Sequence, residues 1–339
     1  MKNMETKPWG SYTNLLDEEY TKVKKIVIKP GESPSYQYHF KRSEVWIIVK
    51  GEAEVKIDDV LMNHKVGKLG GHMEMKTCII TYTNEKFVPK IQTMINEIRE
   101  IGKYNDDIVV IIGEDLKDRL QYEDDDRVII KYFPEIDREE NIIKLREKPI
   151  TDGWGNPEIN KTFMWHKLYA FHPFFKQWDK CFAMDGGMKI FKPLDKILNL
   201  DCKNSILAHY DGYPNNTDWK LRRQFDDIQF PKIFAELERE FDLDIDYFQA
   251  TMFIYDTSLL KSDTFDTIIE LSKKYFTSKL LDQGIVNLYF NNKKYYNVWK
   301  QIQIKDDETY YYDYTERENF KYTDYIMLKR AHTCPHWSF

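Results

Sequence analysis

The chain lacks an apolar run long enough to cross a bilayer; none approaches the roughly 18 residues such a helix needs. Cysteines are few and scattered. Cys78, Cys181, Cys202 and Cys334 form no C-x-x-C pair, which excludes a zinc ribbon or a dense disulfide framework and suits a reducing compartment. Glycine (14) and proline (12) are scarce for 339 residues, so collagen-like and linker-like chains are excluded. No sign of charge dominates: 50 basic residues face 56 acidic ones, a net of −6. A broad, sequence-independent nucleic-acid binder would be basic, and that class is excluded as well. Met1–Trp9 holds no apolar stretch and does not read as a secretory signal. The expectation is a cytoplasmic protein with no integral membrane segment and no nucleic-acid partner.

What is abundant is aromatic: 23 Tyr, 20 Phe and 8 Trp within a 42% hydrophobic composition. That is enough apolar surface for a sizeable core in one large domain or two unequal ones.

The grammar of the chain changes near residue 70. Before it, KVKKIVIK (22–29), VWIIVK (45–50) and AEVKI (53–57) are short runs divided by turn residues, the pattern of a small β barrel or sandwich. VGKLGGH (66–72) carries three glycines in seven residues and reads as the boundary. Beyond it, TCIITYT (77–83), DIVVIIG (107–113) and RVIIKY (127–132) read as buried strands. Ile91, Met94, Ile95, Ile98 and Ile101 recur between them at helical spacing. Strand, helix, strand is α/β punctuation with a largely parallel sheet. Further elements are predicted as a helix over 163–171, a strand over 181–184, a helix over 230–242, a strand over 247–255 and a helix over 264–279. Two parts are therefore expected: a small β segment over 1–70 and an α/β domain over 74–339.

Two constellations carry chemistry. In the first part, Gln37, His39 and Glu44 offer an amide, an imidazole and a carboxylate, a set that suits a divalent cation. The spacing from Gly31 through these residues to Gly51 resembles the first cupin motif. KPWGSY (7–12) resembles the opening of the type II mannose-6-phosphate isomerase cupin. The family's second motif does not follow, which implies a partial, non-isomerising cupin whose open strand edges predict association as a homodimer or cover by another part of the chain.

The second constellation is spread over the larger part. CFAMDGG (181–187) is an apolar strand ending at Asp185, where a carboxylate could hold a metal against a diphosphate. Lys167 precedes that strand and could face a phosphate. DYFQATMFIY (246–255) and LDQGIVN (281–287) bring acid and amide groups suited to sugar hydroxyls. His332 stands near the C-terminus, before PHW (335–337). Taken alone, each has an ordinary reading: strand-end turn, solvated lysine, helix cap, incidental terminal histidine.

In order and spacing these four segments resemble the glycogenin-like glycosyltransferases of the GT-A type (family 8 and relatives). The resemblance implies a Rossmann-like mixed sheet and hexosyl transfer, with retention, from a nucleotide-diphosphate sugar to a hydroxyl acceptor during glycan synthesis. It assigns Thr81, Thr83 and Phe87 to the nucleotide and Lys167 to the donor. Asp185 and His332 fall to an Mn2+ or Mg2+ ion, with Gly187 where the family has the second acid of its D-x-D turn. Asp282 and Gln283 fall beside the reacting carbon, and Gln249 stands where the family has Asn. Two other classes compete: a non-catalytic nucleotide-sugar or glycan-binding module, and a sugar-phosphate isomerase or epimerase centred on Gln37, His39 and Glu44.

Overall fold

The computed structural model describes residues 4–18, 21–34, 44–57, 60–65, 69–72, 75–151, 158–212, 218–292 and 326–329. The chain divides into two compact units, residues 1–74 and 75–339.

The first unit is built of short antiparallel strands. β1 (Met4–Lys7), β2 (Gly10–Asp17) and β3 (Lys22–Ile28) form one sheet in that order. β4 (Glu44–Ile47) pairs with β7 (Leu69–His72), and β5 (Glu52–Ile57) pairs with β6 (Val60–Lys65). Local chemistry explains the turns. After β3 the Glu32 N–H donates to the Lys29 carbonyl at 3.1 Å, with Pro30 at the second position and Gly31 at φ +75° in the third. That is the residue pattern a type II turn requires. Gly10 lies where β2 crosses β3 most closely; a Cβ there would meet the Val27 carbonyl oxygen at 1.9 Å. The glycines at 70 and 71 are not a linker. They sit in β7, opposite Trp46 and Val45 of β4.

The second unit is a three-layer α/β body. Its strands are β8 (Thr77–Thr83), β9 (Ile108–Ile112), β10 (Val128–Tyr132), β11 (Lys180–Met184), β13 (Ile206–Tyr210) and β14 (Phe248–Asp256). Their order in the sheet is β10-β9-β8-β11-β14-β13. The four strands from β10 to β11 run parallel; β14 is antiparallel to both of its neighbours. The sheet is therefore mixed. A shorter pair, β12 (Met188–Ile190) with β15 (Met327–Lys329), lies outside it.

Both faces of the sheet are buried, which is why its strands read as near-continuous apolar runs. One face packs on α1 (Val88–Glu100) through Ile91, Met94, Ile95 and Ile98, four of the five residues of the stripe expected from the sequence; Ile101, the fifth, caps the helix and is exposed. The other meets a long 3-10 segment (Glu158–Phe171) and the helices α4 (Pro231–Glu240), α5 (Thr264–Lys274) and α6 (Asp282–Asn292). Two shorter helices, α2 (Glu139–Glu147) and α3 (Asp195–Leu198), complete the set.

Two expected helices differ in kind or length. The segment ending at Phe171 is 3-10 rather than α. α5 stops at Lys274 and not at Lys279. Residues 277–279 instead pair with the chain at 224–226, through Asp226 N–H to Thr277 O and Lys279 N–H to Gln224 O.

α6 approaches its neighbours too closely for a side chain at Gly284. A Cβ there would stand 2.5 Å from Ser278 Oγ and 3.0 Å from Phe225 Cζ. Gly284→Ala is expected to destabilise the second unit by about 1–3 kcal/mol through overpacking. Urea unfolding of the variant would show this as a lower midpoint, and an unchanged midpoint would contradict the contact.

Candidate functional site

In an open α/β sheet, ligands bind beyond the carboxyl ends of the parallel strands. Three charged side chains from distant parts of the sequence meet at that end of β11. Asp185 follows the last residue of the strand, Lys167 comes from the 3-10 segment, and Asp282 begins α6. Lys167 Nζ lies 2.8 Å from Asp185 Oδ1 and 3.3 Å from Asp282 Oδ2. The lysine is 7% exposed and Asp282 2%, whereas Asp185 keeps 18% of its side chain open.

Local sequence places each group. Gly186 and Gly187 turn the chain after Asp185. A Cβ on Gly186 would meet Ile91 Cδ1 at 2.7 Å and the Tyr82 carbonyl oxygen at 3.0 Å, and Gly187 takes φ +86°. The position where the resemblance implies a second acid is thus a left-handed turn that suits glycine. Asp282 is delivered by Leu281, a non-glycine residue at φ +52°. Such a conformation persists only where surrounding structure holds it.

Burial alone would favour neutral Lys167, but Asp185 and Asp282 outweigh it and hold the ammonium charged, above the ordinary lysine range. For Asp282, burial is the largest influence and raises its pKa. Lys167 opposes this and Asp185 reinforces it, leaving the carboxyl at about 6. With every group ionised the triad carries a net charge of −1. A single ammonium cannot neutralise two carboxylates, so the more buried one takes up a proton first.

The amides behind Asp282 have a different task. Between β13 and β14 the register slips, so that His209 alone spans residues 249–252 of β14. Backbone groups of β14 in this stretch are satisfied from the site, one of them by continuing the β11–β14 ladder. Asp185 N–H donates to Thr251 O at 2.8 Å, and Ala250 N–H donates to Gln283 Oε1 at 2.9 Å. Phe248 N–H donates to Asn287 Oδ1 at 2.9 Å, and Asn287 Nδ2 donates back to Phe248 O at 2.8 Å. Gln283 Nε2 donates to Asp211 Oδ2 and Gln224 Oε1, both at 3.2 Å. Gln283 therefore positions the strand; both its amide hydrogens are engaged by protein. Gln249 lies in the bulge and is 7% exposed.

The other expected contacts are distributed unevenly. Thr81 and Thr83 are 0% and 1% exposed and face the α1 side of β8, away from Lys167. Phe87 is 37% exposed at the end of a short 3-10 turn, with Lys90 Nζ 5.0 Å from its ring centroid. His332, Gln37 and His39 lie outside the described residues, and Glu44 opens β4 with its backbone opposite His72. Among the described residues no three His, Cys, Asp or Glu groups gather as a metal set. Asp185 offers one carboxylate, already on Lys167, and Gly187 offers none. The described donor set does not by itself fit a divalent cation.

Sequence reasoning missed Tyr82, Gln224 and the clamping role of Asn287. Tyr82 was legible only as one residue of an apolar strand. Gln224 belongs to a stretch with no period.

The family model described as mannose-6-phosphate isomerase C-terminal matches residues 1–115. Over 53 residues the chain is 47% identical to a mannose-1-phosphate guanylyltransferase of Sinorhizobium fredii, covering 16% of this chain and 10% of that protein. Over 120 residues it is 30% identical to the alginate biosynthesis protein AlgA of Pseudomonas aeruginosa, covering 34% of this chain and 21% of that protein. The chain thus spans only about a tenth to a fifth of these curated relatives. Among solved structures it is similar to core-mannan synthase A of Aspergillus fumigatus in its Mn/GDP form. Identity is 12% and the TM-score 0.41, over 85% of this chain and 86% of that one. No helix among the described residues is long and apolar enough to cross a membrane.

The Asp282 carboxyl gives the site a pH signature. Its folded pKa of about 6 lies above the unfolded value of 3.8. Its contribution to stability is therefore fullest below pH 4 and is lost as pH rises through 6. Relative to Asp282→Asn, the wild type should lose on the order of 2–3 kcal/mol of unfolding free energy between pH 4 and 7. Urea midpoints of both proteins across that range test this, and a pH-independent gap would contradict it.

Proposed function

We propose that residues 75–339 form a GT-A-type hexosyltransferase. It moves a hexosyl unit from a nucleotide-diphosphate sugar to a hydroxyl acceptor in glycan synthesis. The observation that carries this reading is the buried Lys167 bridge between Asp185, at the carboxyl end of β11, and Asp282, at the start of α6. A polysaccharide-synthesis name among the curated relatives points to the same biology.

The chemistry follows from charge. As the bond from the sugar to the diphosphate breaks, positive charge develops at the anomeric carbon and its ring oxygen. A preorganised triad of net charge −1 in a buried setting stabilises that charge more than it stabilises the neutral ground-state sugar. In this reading the hexose lies against Asp282 and Asp185, and Lys167 keeps both carboxylates in place. Gln283 and Asn287 hold the β14 bulge, and with it Gln249, against the site. The first unit we read as a partial cupin without isomerase activity that associates through its open strand edges.

A second reading, nucleotide-sugar binding without turnover, is favoured by Gly187, whose left-handed backbone supplies no second acid. One experiment separates the two. The protein is incubated with UDP-glucose, UDP-galactose and GDP-mannose, with and without Mn2+, and released nucleotide is measured with glycan acceptors present. Release that falls by about a hundredfold or more in Asp282→Asn is expected for the transferase. Thermal stabilisation by a nucleotide sugar without any release supports the binding module. Interconversion of sugar phosphates that is lost in His39→Ala would overturn both.

A further inference from the structure

Tyr82 is a polar group at the triad that the fold itself does not use. It lies on β8 and faces the layer that holds Leu168 and Ile285, the neighbours of Lys167 and the α6 amides. Its backbone borders the Asp185–Gly187 turn, since a Cβ on Gly186 would stand 3.0 Å from the Tyr82 carbonyl oxygen. The side chain is 6% exposed, and its hydroxyl is buried without a hydrogen-bond partner among the described residues. After burial, the charges that bear most on the phenol are those of Asp185 and Asp282, and all three influences push its pKa well above the ordinary tyrosine value. The hydroxyl is therefore a proton-bearing donor at any working pH.

A buried donor without an acceptor destabilises a fold, and phenylalanine would fill the same space without that penalty. The charged and amide donors beside the triad, Lys167 and Gln283, already have acceptors. Lys167 faces two carboxylates, and the Gln283 amide hydrogens face Asp211 and Gln224. What could accept from Tyr82 is constrained by charge. A phosphate would meet a triad of net charge −1, which repels it. A sugar hydroxyl is neutral and is both donor and acceptor, so it can give its proton to a carboxylate and take one from the phenol.

We propose that the Tyr82 hydroxyl donates a hydrogen bond to an oxygen of the hexosyl group of the donor. Tyr82 is then a sugar-recognition residue that does not touch the diphosphate. This rests on the transferase or binding reading above, since both place a nucleotide sugar at the triad.

The test compares wild type with Tyr82→Phe by calorimetry against UDP-glucose, UDP-galactose, GDP-mannose, UDP and GDP, and melts both proteins without ligand. Affinity for the nucleotide sugar that binds should fall about five- to tenfold in the variant. Affinity for the free nucleoside diphosphate should not change. The ligand-free variant should melt at or above the wild-type temperature. Equal losses for sugar-bearing and free nucleotide overturn the proposal, as does unchanged affinity for the sugar-bearing form. A lower melting temperature with unchanged affinity assigns the hydroxyl to the fold instead. If wild type binds no nucleotide sugar, the donor reading falls and this proposal with it. If it binds and the variant binds equally well, only the role of Tyr82 falls.

Discussion

A lysine ammonium withdrawn from water is tolerable only where opposite charge replaces its hydration, and at Lys167 two carboxylates do so. Much else in the second unit follows from that constraint. The 3-10 segment must bring Lys167 under the end of β11. β11 must end in a turn tight enough to aim Asp185 back at the lysine, which the two glycines allow. Leu281 must take a left-handed conformation so that α6 begins with Asp282 inside the body rather than at its surface. Removing either acid would leave the lysine short of charge, and removing the lysine would leave two like charges facing each other. The three groups therefore behave as one unit with a shared charge state.

The bulge in β14 is the second constraint, and it explains why the acid is followed by amides. A strand that slips register exposes backbone N–H and C=O groups that its neighbour no longer satisfies. Gln283 and Asn287 stand four residues apart on one face of α6, so both reach the same strand. Their side chains supply both acceptors and donors to the backbone of Phe248 and Ala250. A helix that must clamp a strand this way must also lie close to it. Gly284, between the two amides, permits the equally close approach to Ser278 and Phe225 on the neighbouring side. The run LDQGIVN is thus a packing device: its amides clamp the β14 backbone and its acid holds Lys167.

Much of the fold was legible because burial on both faces leaves a plain signature. The strands over 77–83, 108–112, 128–132 and 180–184 and the stripe on α1 stand as apolar runs or at helical period. β13 carries a weaker form of the same signature in SILAHY (205–210), where the apolar run ends in a histidine and a tyrosine; in the structure both are buried. The end of α5 was not legible. Helical period continues past Lys274, but the hydrogen bonds of residues 277–279 go to a partner some fifty residues away, which no local pattern records. At the site, Lys167, Asp185 and Asp282 could be picked out as residue types at strand and helix ends. Their meeting on one ammonium could not, because it depends on the sheet order. Thr81 and Thr83 show the reverse case. The family resemblance assigns both to the nucleotide; strand alternation turns them toward α1 and leaves Tyr82 on the side of Lys167.

The boundary between the two units follows from strand edges. The mannose-6-phosphate isomerase C-terminal model extends to residue 115, well past the end of the first unit at residue 74. A strand has two hydrogen-bonding edges. Both edges of β8 are taken, one by β9 and the other by β11, each in parallel register. β9 is likewise held between β8 and β10. Parallel neighbours need a crossover, and α1 supplies it between β8 and β9. Residues 77–112 are therefore committed on both sides to the second unit's sheet and cannot also extend the antiparallel sheets of the first. Whatever ancestry the match to residue 115 reflects, the hydrogen bonding places the physical seam before Thr77, and the β material of the first unit ends with β7.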